Sequence, residues 1–572
     1  MARPSERCRP SGIIQDVTHS PHPALVTQLA AQRLPRLALL LLCAAYVLPG
    51  IFRRDPWRGA DLSAFGQMLA LAEGRAPWLV PALGGVPTDD ALLPNWIGAV
   101  AIMLTQGWLD PATAARLPFG LLLTLTLVAV WYACFHLALS EGAQPMPLAF
   151  GGEAAPVDYA RAIADGAVLA LIATLGLLQL GHETTPELVQ LAAVACLLWS
   201  LAAFPRRGWR AGLGLLLAWP ALAASDAPSV ALALGLATLL LSLHPAAQAI
   251  KAVRFWVAAA MLLSVLAAWP THAWAWRIRI EDDPAAMMRQ WIWFLWPTWP
   301  LALLTVWRWR RQLAQPHLGL PLLVVLVALA TNVGMDGSDR ALMLGLPGWA
   351  VLAAFALPTL RRSSAAAMDW FSVFFFSLCA LTVWLMYVAM QTGIPAKPAA
   401  NILKLAPGFE PHWSMPDMLL ALLGTVAWLG LVRWRTGRHR SAIWKSLVLP
   451  ASGVALIWLL LMTLWLPLLD YARSNRPLAM RLARHVPDKG CVAAPGANDA
   501  LVAALEWHAR LRVDASAQSL NGKCPVLVLV RKNDTQPVAA EARAKAAGWT
   551  LVARERRPTE RREVTLVYRR PD

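Results

Sequence analysis

Apolar runs of about 14–23 residues recur from Arg36 to Asp470. A hydrocarbon core of roughly 30 Å takes about 20 residues of helix to cross. Most of the runs are that long, so the chain reads as a polytopic, all-α membrane protein. The runs lie at about 36–52, 94–110, 117–139, 163–181, 187–204, 211–224, 228–244, 255–270, 291–307, 319–333, 341–360, 371–391, 415–432 and 447–468. Composition agrees. The 572 residues are 58% hydrophobic and 15% charged, against roughly 25% charged in soluble domains, and mean hydropathy is +0.49. This excludes a string of ordinary soluble domains. Many of the 29 Trp residues, such as Trp57, Trp78, Trp96, Trp291 and Trp413, stand at run ends. There their amphipathic rings suit the headgroup level.

Basic clusters set the expected sides of the membrane. They fall at 206–210, 251–254, 308–311, 361–362 and 433–440, and all five are read as cytoplasmic. The first run lacks a clear small-residue cleavage site and follows Arg33 and Arg36. It reads as a retained helix after a cytoplasmic tail, 1–35. Alternation through 36–470 then puts the segment after Asp470 outside. A cytoplasmic start and an outside end need an odd number of crossings, so about 13 of the 14 runs cross. The short run 94–110 is the candidate for the one that does not.

Two segments stand apart. The first outer loop, 53–93, is long, and long loops are often functional. Its stretch 61–73 spaces Leu62, Phe65, Met68, Leu69 and Ala72 as a helix would, and is expected to lie on the membrane surface. The tail, 471–572, shows apolar β-type runs at 526–530, 551–552 and 564–568. Helical patterns fit 498–512 and 537–547. This predicts a small α/β domain. It carries 19 Lys and Arg against 10 Asp and Glu, about half of the whole chain's +17. Such a surface is either simply solvated or a platform for anionic headgroups or phosphorylated glycolipid. Cys491 and Cys524 precede likely strands and can pair in an oxidising compartment. Cys spacing indicates no metal site, and no internal repeat is evident.

Charges at a membrane rim are candidates for function. The outer rim gathers Arg53, Arg54, Asp55, Arg58, Asp61, Asp89, Asp90, His182, Glu183, Glu187, Asp226, Asp336, Asp339, Arg340, Lys397 and Lys404. A carboxylate can deprotonate an acceptor hydroxyl or amine, and Arg or Lys can stabilise a phosphate leaving group. A lipid-linked phosphosugar needs both.

Particular motifs carry a resemblance. They are Arg54-Asp55-Pro56-Trp57, then Gly74-Arg75-Ala76-Pro77-Trp78-Leu79-Val80-Pro81-Ala82-Leu83-Gly84-Gly85-Val86-Pro87, and Leu92-Leu93-Pro94-Asn95-Trp96. Together they resemble the first outer loop of GT-C glycosyltransferases, in the branch of lipid A aminoarabinose transferases and protein O-mannosyltransferase-like proteins. Arg116-Leu117-Pro118 and the stretch from Asp339-Arg340 to Pro347 resemble further family segments. Pro56 stands where the family has a second acidic residue, and Ala341 where it has Tyr. The basic residue that the family carries before its "P-P-L" segment is missing.

The resemblance implies an inverting glycosyltransferase that uses a polyprenyl-phosphate-linked sugar donor. It would act at the periplasmic face of a bacterial inner membrane on a lipid, glycan or protein acceptor. Asp55 and Glu183 are the implied catalytic carboxylates. Arg54, Arg58, Asp61, His182, Asp226, Arg340 and Lys397 are candidate substrate-binding residues, with Arg340 suited to the lipid phosphate. No cofactor is firmly predicted, a divalent cation is an open alternative, and no nucleic-acid partner is expected. Plainer roles stand beside these. Asp55 can pair with Arg54 or Arg58, Arg340 with Asp336, and Asp226 can cap the helix at Pro228. Glu183 and His182 can belong to an ordinary turn, and Lys397 and Lys404 can anchor to lipid. A transporter or flippase of a lipid-linked or anionic substrate is the alternative function, and a non-catalytic relative of the same fold is a third.

Overall fold

The computed structural model describes residues 24–88, 91–148, 151–269, 274, 278, 283–436, 442–487, 490–532, 539–560 and 562–570. Asp89 and Asp90 lie outside the described residues. Seven described helices are long and apolar enough to cross a membrane: Pro111–Ala138, Pro186–Arg207, Pro245–Ala268, Pro316–Gly334, Arg362–Thr392, Met415–Arg435 and Lys445–Thr463. Shorter apolar helices accompany them at Arg36–Val47, Leu92–Leu104, Pro228–Leu243 and Leu346–Thr359.

Several apolar runs are broken rather than continuous. The run at 291–307 is split into Pro284–Phe294 and Thr298–Arg308 around Pro297. The run at 341–360 divides between Asp339–Met343 and Leu346–Ala356, with Pro347 in the first turn of the second piece. Proline has no N–H to continue a helix but fits its first turn. Pro111, Pro156, Pro186, Pro228 and Pro316 open helices in the same way. Run 94–110 becomes Leu92–Leu104, 13 residues, or about 20 Å of helix. Of the seven long helices, Pro186–Arg207 and Lys445–Thr463 are the most enclosed, and Met415–Arg435 lies at the periphery.

The first-loop helix forms at Ala60–Ala72, but it does not lie with one face bare. Asp61, Leu62 and all residues from Ala64 to Leu71 are buried. One side packs on Leu92–Leu104, where Asn95 donates to Gln67 Oε1 at 2.9 Å. The other side packs on the tail helix Asp499–His508. Phe65 meets Trp507 edge-on at 5.2 Å. Gly66 approaches Ala503 so closely that an added Cβ would sit 2.5 Å from the Ala503 Cβ. A helical pattern read for one partner therefore finds two. The hairpin of β1 (Ala82–Leu83) and β2 (Val86–Pro87) continues the clamp. Gly84 O accepts from Ala515 N at 2.8 Å, and Arg75 pairs with Glu506 at 2.5 Å.

The tail holds a five-stranded mixed sheet. Its strands are β3 (Cys491–Ala493), β4 (Arg512–Asp514), β5 (Val526–Lys532), β6 (Thr550–Glu555) and β7 (Glu563–Arg569), in the order β4-β3-β5-β7-β6. β3 pairs in parallel with β4 and β5, and β7 pairs antiparallel with β5 and β6. The three expected strands are present, as are helices at Asp499–His508 and Ala539–Ala546. The first of these ends at His508, short of the expected 512, and Arg512 opens the strand β4. Cys491 and Cys524 form a disulfide with Cα atoms 5.0 Å apart, tying β3 to the start of β5.

The Gly66 contact makes a test. Gly66→Leu should cost about 1–3 kcal/mol through overpacking and loosen the tail from the first loop. Faster tryptic release of a fragment containing 490–570 checks it, and a cleavage pattern like that of the parent protein would contradict this packing.

Candidate functional site

The site is organised around a buried carboxylate. Asp61, in the first turn of Ala60–Ala72, is 1% exposed. Its Oδ2 accepts from Trp57 N at 3.0 Å and Arg54 Nη2 at 3.3 Å. Its Oδ1 accepts from Thr184 N at 2.8 Å and Thr184 Oγ1 at 3.0 Å. Arg54 is also buried and donates to His182 O at 2.6 Å. Arg116, from helix Pro111–Ala138, donates in turn to Arg54 O. Burial pushes the Asp61 carboxyl up. The charges of Arg54 and Arg116 and the bonds from Thr184 and Trp57 outweigh it and hold the group below the usual range.

Glu183 is pushed the other way. Burial and the Asp61 charge raise it, against the pull of Arg340 and Gln179. Its Oε2 receives Arg340 Nη2 at 2.5 Å, and its Oε1 receives Gln179 Nε2 at 2.8 Å. Arg340 also reaches Thr185 Oγ1 at 3.1 Å and Glu187 at 3.4 Å. It therefore pairs with Glu183 and Glu187 instead of Asp336. His182 lies 2.8 Å from both Leu178 O and Tyr46 O through its two ring nitrogens. Both nitrogens are thus engaged with the protein.

A second carboxylate pair stands nearer the surface. Asp55 Oδ1 accepts from Arg476 at 2.6 Å, rather than from Arg54 or Arg58. Its backbone N donates to Asp470 Oδ2 at 3.2 Å, and Trp57 Nε1 donates to Asp470 Oδ1 at 2.8 Å. Burial and the neighbouring Asp55 charge push Asp470 up to about 6. From the tail, His508 is close enough to feel the charges of Asp55 and Arg476, and burial pushes its imidazole down to about 4.

Trp57 joins the two pairs. Its ring lies 4.7 Å from the Arg54 guanidinium and 4.9 Å from that of Arg473. Arg473 donates to Gln179 Oε1. Among the described residues no carboxylate lies within ion-pair distance of Arg473. Arg473 also lines a cavity of about 330 Å³, whose walls are largely apolar (Trp57, Leu178, Phe294, Trp458 and Met462) and also include Gln179 and Asp339. A fixed cation beside an apolar slot can hold an anionic head whose tail is a hydrocarbon.

Arg54, Asp55, Asp61, His182, Glu183 and Arg340 are thus brought together. Arg58 turns to the tail and pairs with Glu560 at 3.1 Å. Asp226 is exposed, in a turn with φ 68°, and the N-cap of helix Pro228–Leu243 is Ala227, not Asp226. Lys397 is exposed on helix Ala396–Leu405. Sequence reading missed Asp470, Arg473, Arg476 and the site role of Arg116. The first three follow the last apolar run, where they look like ordinary flanking charge. Among the described residues no group of three or more His, Cys, Asp or Glu side chains could hold a metal ion.

No family model matches the sequence, and no curated protein matches it. Solved structures do. ArnT from Cupriavidus metallidurans bound to undecaprenyl phosphate aligns over 93% of this chain and 96% of its own, with TM-score 0.60 and 15% identity. Its apo form gives TM-score 0.59 over the same shares, again at 15% identity. AglB, an oligosaccharyltransferase from Archaeoglobus fulgidus in complex with an inhibitory peptide and a dolichol-phosphate, aligns over 86% of this chain and 68% of its own. Its TM-score is 0.44 and its identity 10%. ArnT, a lipid A aminoarabinose transferase, and AglB are both GT-C glycosyltransferases. At this identity the ArnT likeness establishes the fold.

The raised carboxyl of Asp470 gives a pH prediction. A carboxyl held above its unfolded value favours the protonated folded state, so stability falls as pH climbs from about 4 to about 6. The expected loss is on the order of 1–3 kcal/mol. Asp470→Asn should shrink the difference in Tm between about pH 4 and about pH 7. A Tm-against-pH curve identical to that of the parent would refute the assignment.

Proposed function

We propose that this chain is a glycosyltransferase that takes a sugar from a polyprenyl-phosphate carrier at the periplasmic face of a bacterial inner membrane. The acceptor is a lipid, glycan or protein. In this reading segment 36–470 occupies the membrane and 471–572 stands in the periplasm, over the first loop 53–93. The observation that carries the proposal is Arg473, a cation that pairs with no carboxylate among the described residues, at the wall of a largely apolar cavity. The fold shared with a structure that holds undecaprenyl phosphate supports it.

The chemistry is a single displacement. The acceptor hydroxyl or amine attacks the anomeric carbon as the bond from that carbon to the phosphate oxygen breaks, inverting the centre. The proton passes to Asp55, whose Oδ2 accepts no hydrogen bond among the described residues. The polyprenyl phosphate leaves with the bonding electron pair, and Arg473, supported by Arg340, stabilises its charge. Glu183 positions Arg340 and Asp61 positions the loop. Asp470 fixes the Asp55 backbone and sets the charge around it.

Binding and turnover should separate. Arg473→Ala should weaken undecaprenyl phosphate binding about tenfold or more, read by native mass spectrometry of the purified protein. Asp55→Asn should keep that binding and lose transfer by about 10²–10⁴-fold. Full transfer by Asp55→Asn at normal expression would overturn the mechanism, and unchanged binding by Arg473→Ala would overturn the phosphate site.

A further inference from the structure

A second cavity, of about 300 Å³, opens between the first loop and the tail. It draws on the same two chain segments as the first. Trp57 lines the apolar cavity and Arg58 lines this one. Leu469 and Arg473 line the first and Asn475 the second. Asp55 and Arg476, paired at 2.6 Å, belong to these same segments. Asp55 and Arg476 thus stand on the two segments that contribute walls to both cavities, without lining either one themselves.

The second cavity has a mixed lining, with Leu478, Ala500, Leu501 and Val530 beside its charged residues, and it is balanced in charge. Arg58 and Arg557 both pair with Glu560, at 3.1 and 2.9 Å. Glu563 adds a second negative charge close enough to be felt by Arg557. Two guanidinium groups therefore face two carboxylates, which does not select for an anion. Hydrogen-bonding capacity is left over. The Arg557 side chain is 6% exposed, and its Nε has no partner. The side chains of Asn475 and Glu563 make no hydrogen bond among the described residues. Thr565 contributes a hydroxyl to the lining. The buried Arg557 Nε is costly to leave unengaged unless a ligand or water satisfies it, and the half-buried Asn475 and Glu563 side chains offer further acceptors and a donor beside it. Closely spaced donors and acceptors without net charge match the hydroxyl groups of a neutral sugar. The volume is at the low end of ligand pockets, roughly 300–1,000 Å³, which suits one or two rings.

We propose that this cavity is an acceptor subsite for a neutral, hydroxyl-rich glycan, with the tail domain supplying half of its walls. The inference rests on the glycosyltransferase reading and narrows its acceptor class. The donor would approach Asp55 from the membrane side and the glycan from the tail side.

The test uses full-length protein in lipid nanodiscs. Saturation-transfer difference NMR is recorded with glucose, N-acetylglucosamine, lactose and chitobiose, and phosphorus NMR with inorganic phosphate as the anionic probe. At least one sugar should bind. Its signal should fall roughly fivefold or more in Asn475→Ala and in Glu563→Gln, as expected for losing hydrogen bonds of ordinary strength. Circular dichroism and an unchanged disulfide by peptide mapping certify that both variants fold. Failure of every sugar to bind, binding of phosphate alone, or a sugar signal that survives both substitutions would each overturn the proposal. Undecaprenyl phosphate binding is measured on the same samples. Its absence from the parent protein would defeat the donor reading while leaving the sugar result to stand by itself.

Discussion

The buried ion pair between Arg54 and Asp61 is the constraint on which the site depends. Both groups are withdrawn from solvent, and removing one partner of such a pair typically costs about 3–5 kcal/mol. The pair therefore fixes more than itself. Through Thr184 and His182 O it holds the turn before helix Pro186–Arg207. Through Arg116 it holds helix Pro111–Ala138. Through Trp57 N it sets the backbone of the first loop. Three distant parts of the chain are thereby brought into one register, and Asp55 and Trp57 are left at the edge of that frame.

This separates structural from reactive charge. Asp61 accepts four hydrogen bonds and has no free acceptor position. A proton from a substrate would have to displace one of them. Asp55 accepts one side-chain bond, from Arg476, and sits beside Asp470, whose burial and like-charge neighbour push it up to about 6. The proposed chemistry is assigned to this outer pair, beside which the tail brings Arg476 and His508.

Much of the architecture was legible in the sequence. Apolar runs marked the helices because length and apolarity alone decide membrane compatibility. The tail strands at 526–532 and 563–569 were legible because they combine β-branched residues with sufficient length. β4, three residues long, was not, since periodicity cannot show over so short a span; β3 was anticipated only as a strand after Cys491. The pairing of Cys491 with Cys524 was readable from composition and expected compartment. The site was half legible. Arg54, Asp55, Asp61, Glu183 and Arg340 are charged residues clustered at the ends of apolar runs, and that contrast is a sequence signal. Asp470, Arg473 and Arg476 stand where any helix end carries charge, and only the fold brings them to Trp57 and Asp55. The Ala60–Ala72 helix was recognised as amphipathic, but its second partner lies over 400 residues away in sequence and leaves no local trace.

The central claim is covalent transfer of a sugar. Mass spectrometry of membrane glycolipids, glycans and proteins from cells with and without this chain tests it most directly. The account predicts a sugar-sized mass increment on one class of acceptor that disappears when the chain is deleted and returns when it is restored. Identical masses in every fraction, with the protein well expressed in the membrane, would contradict it.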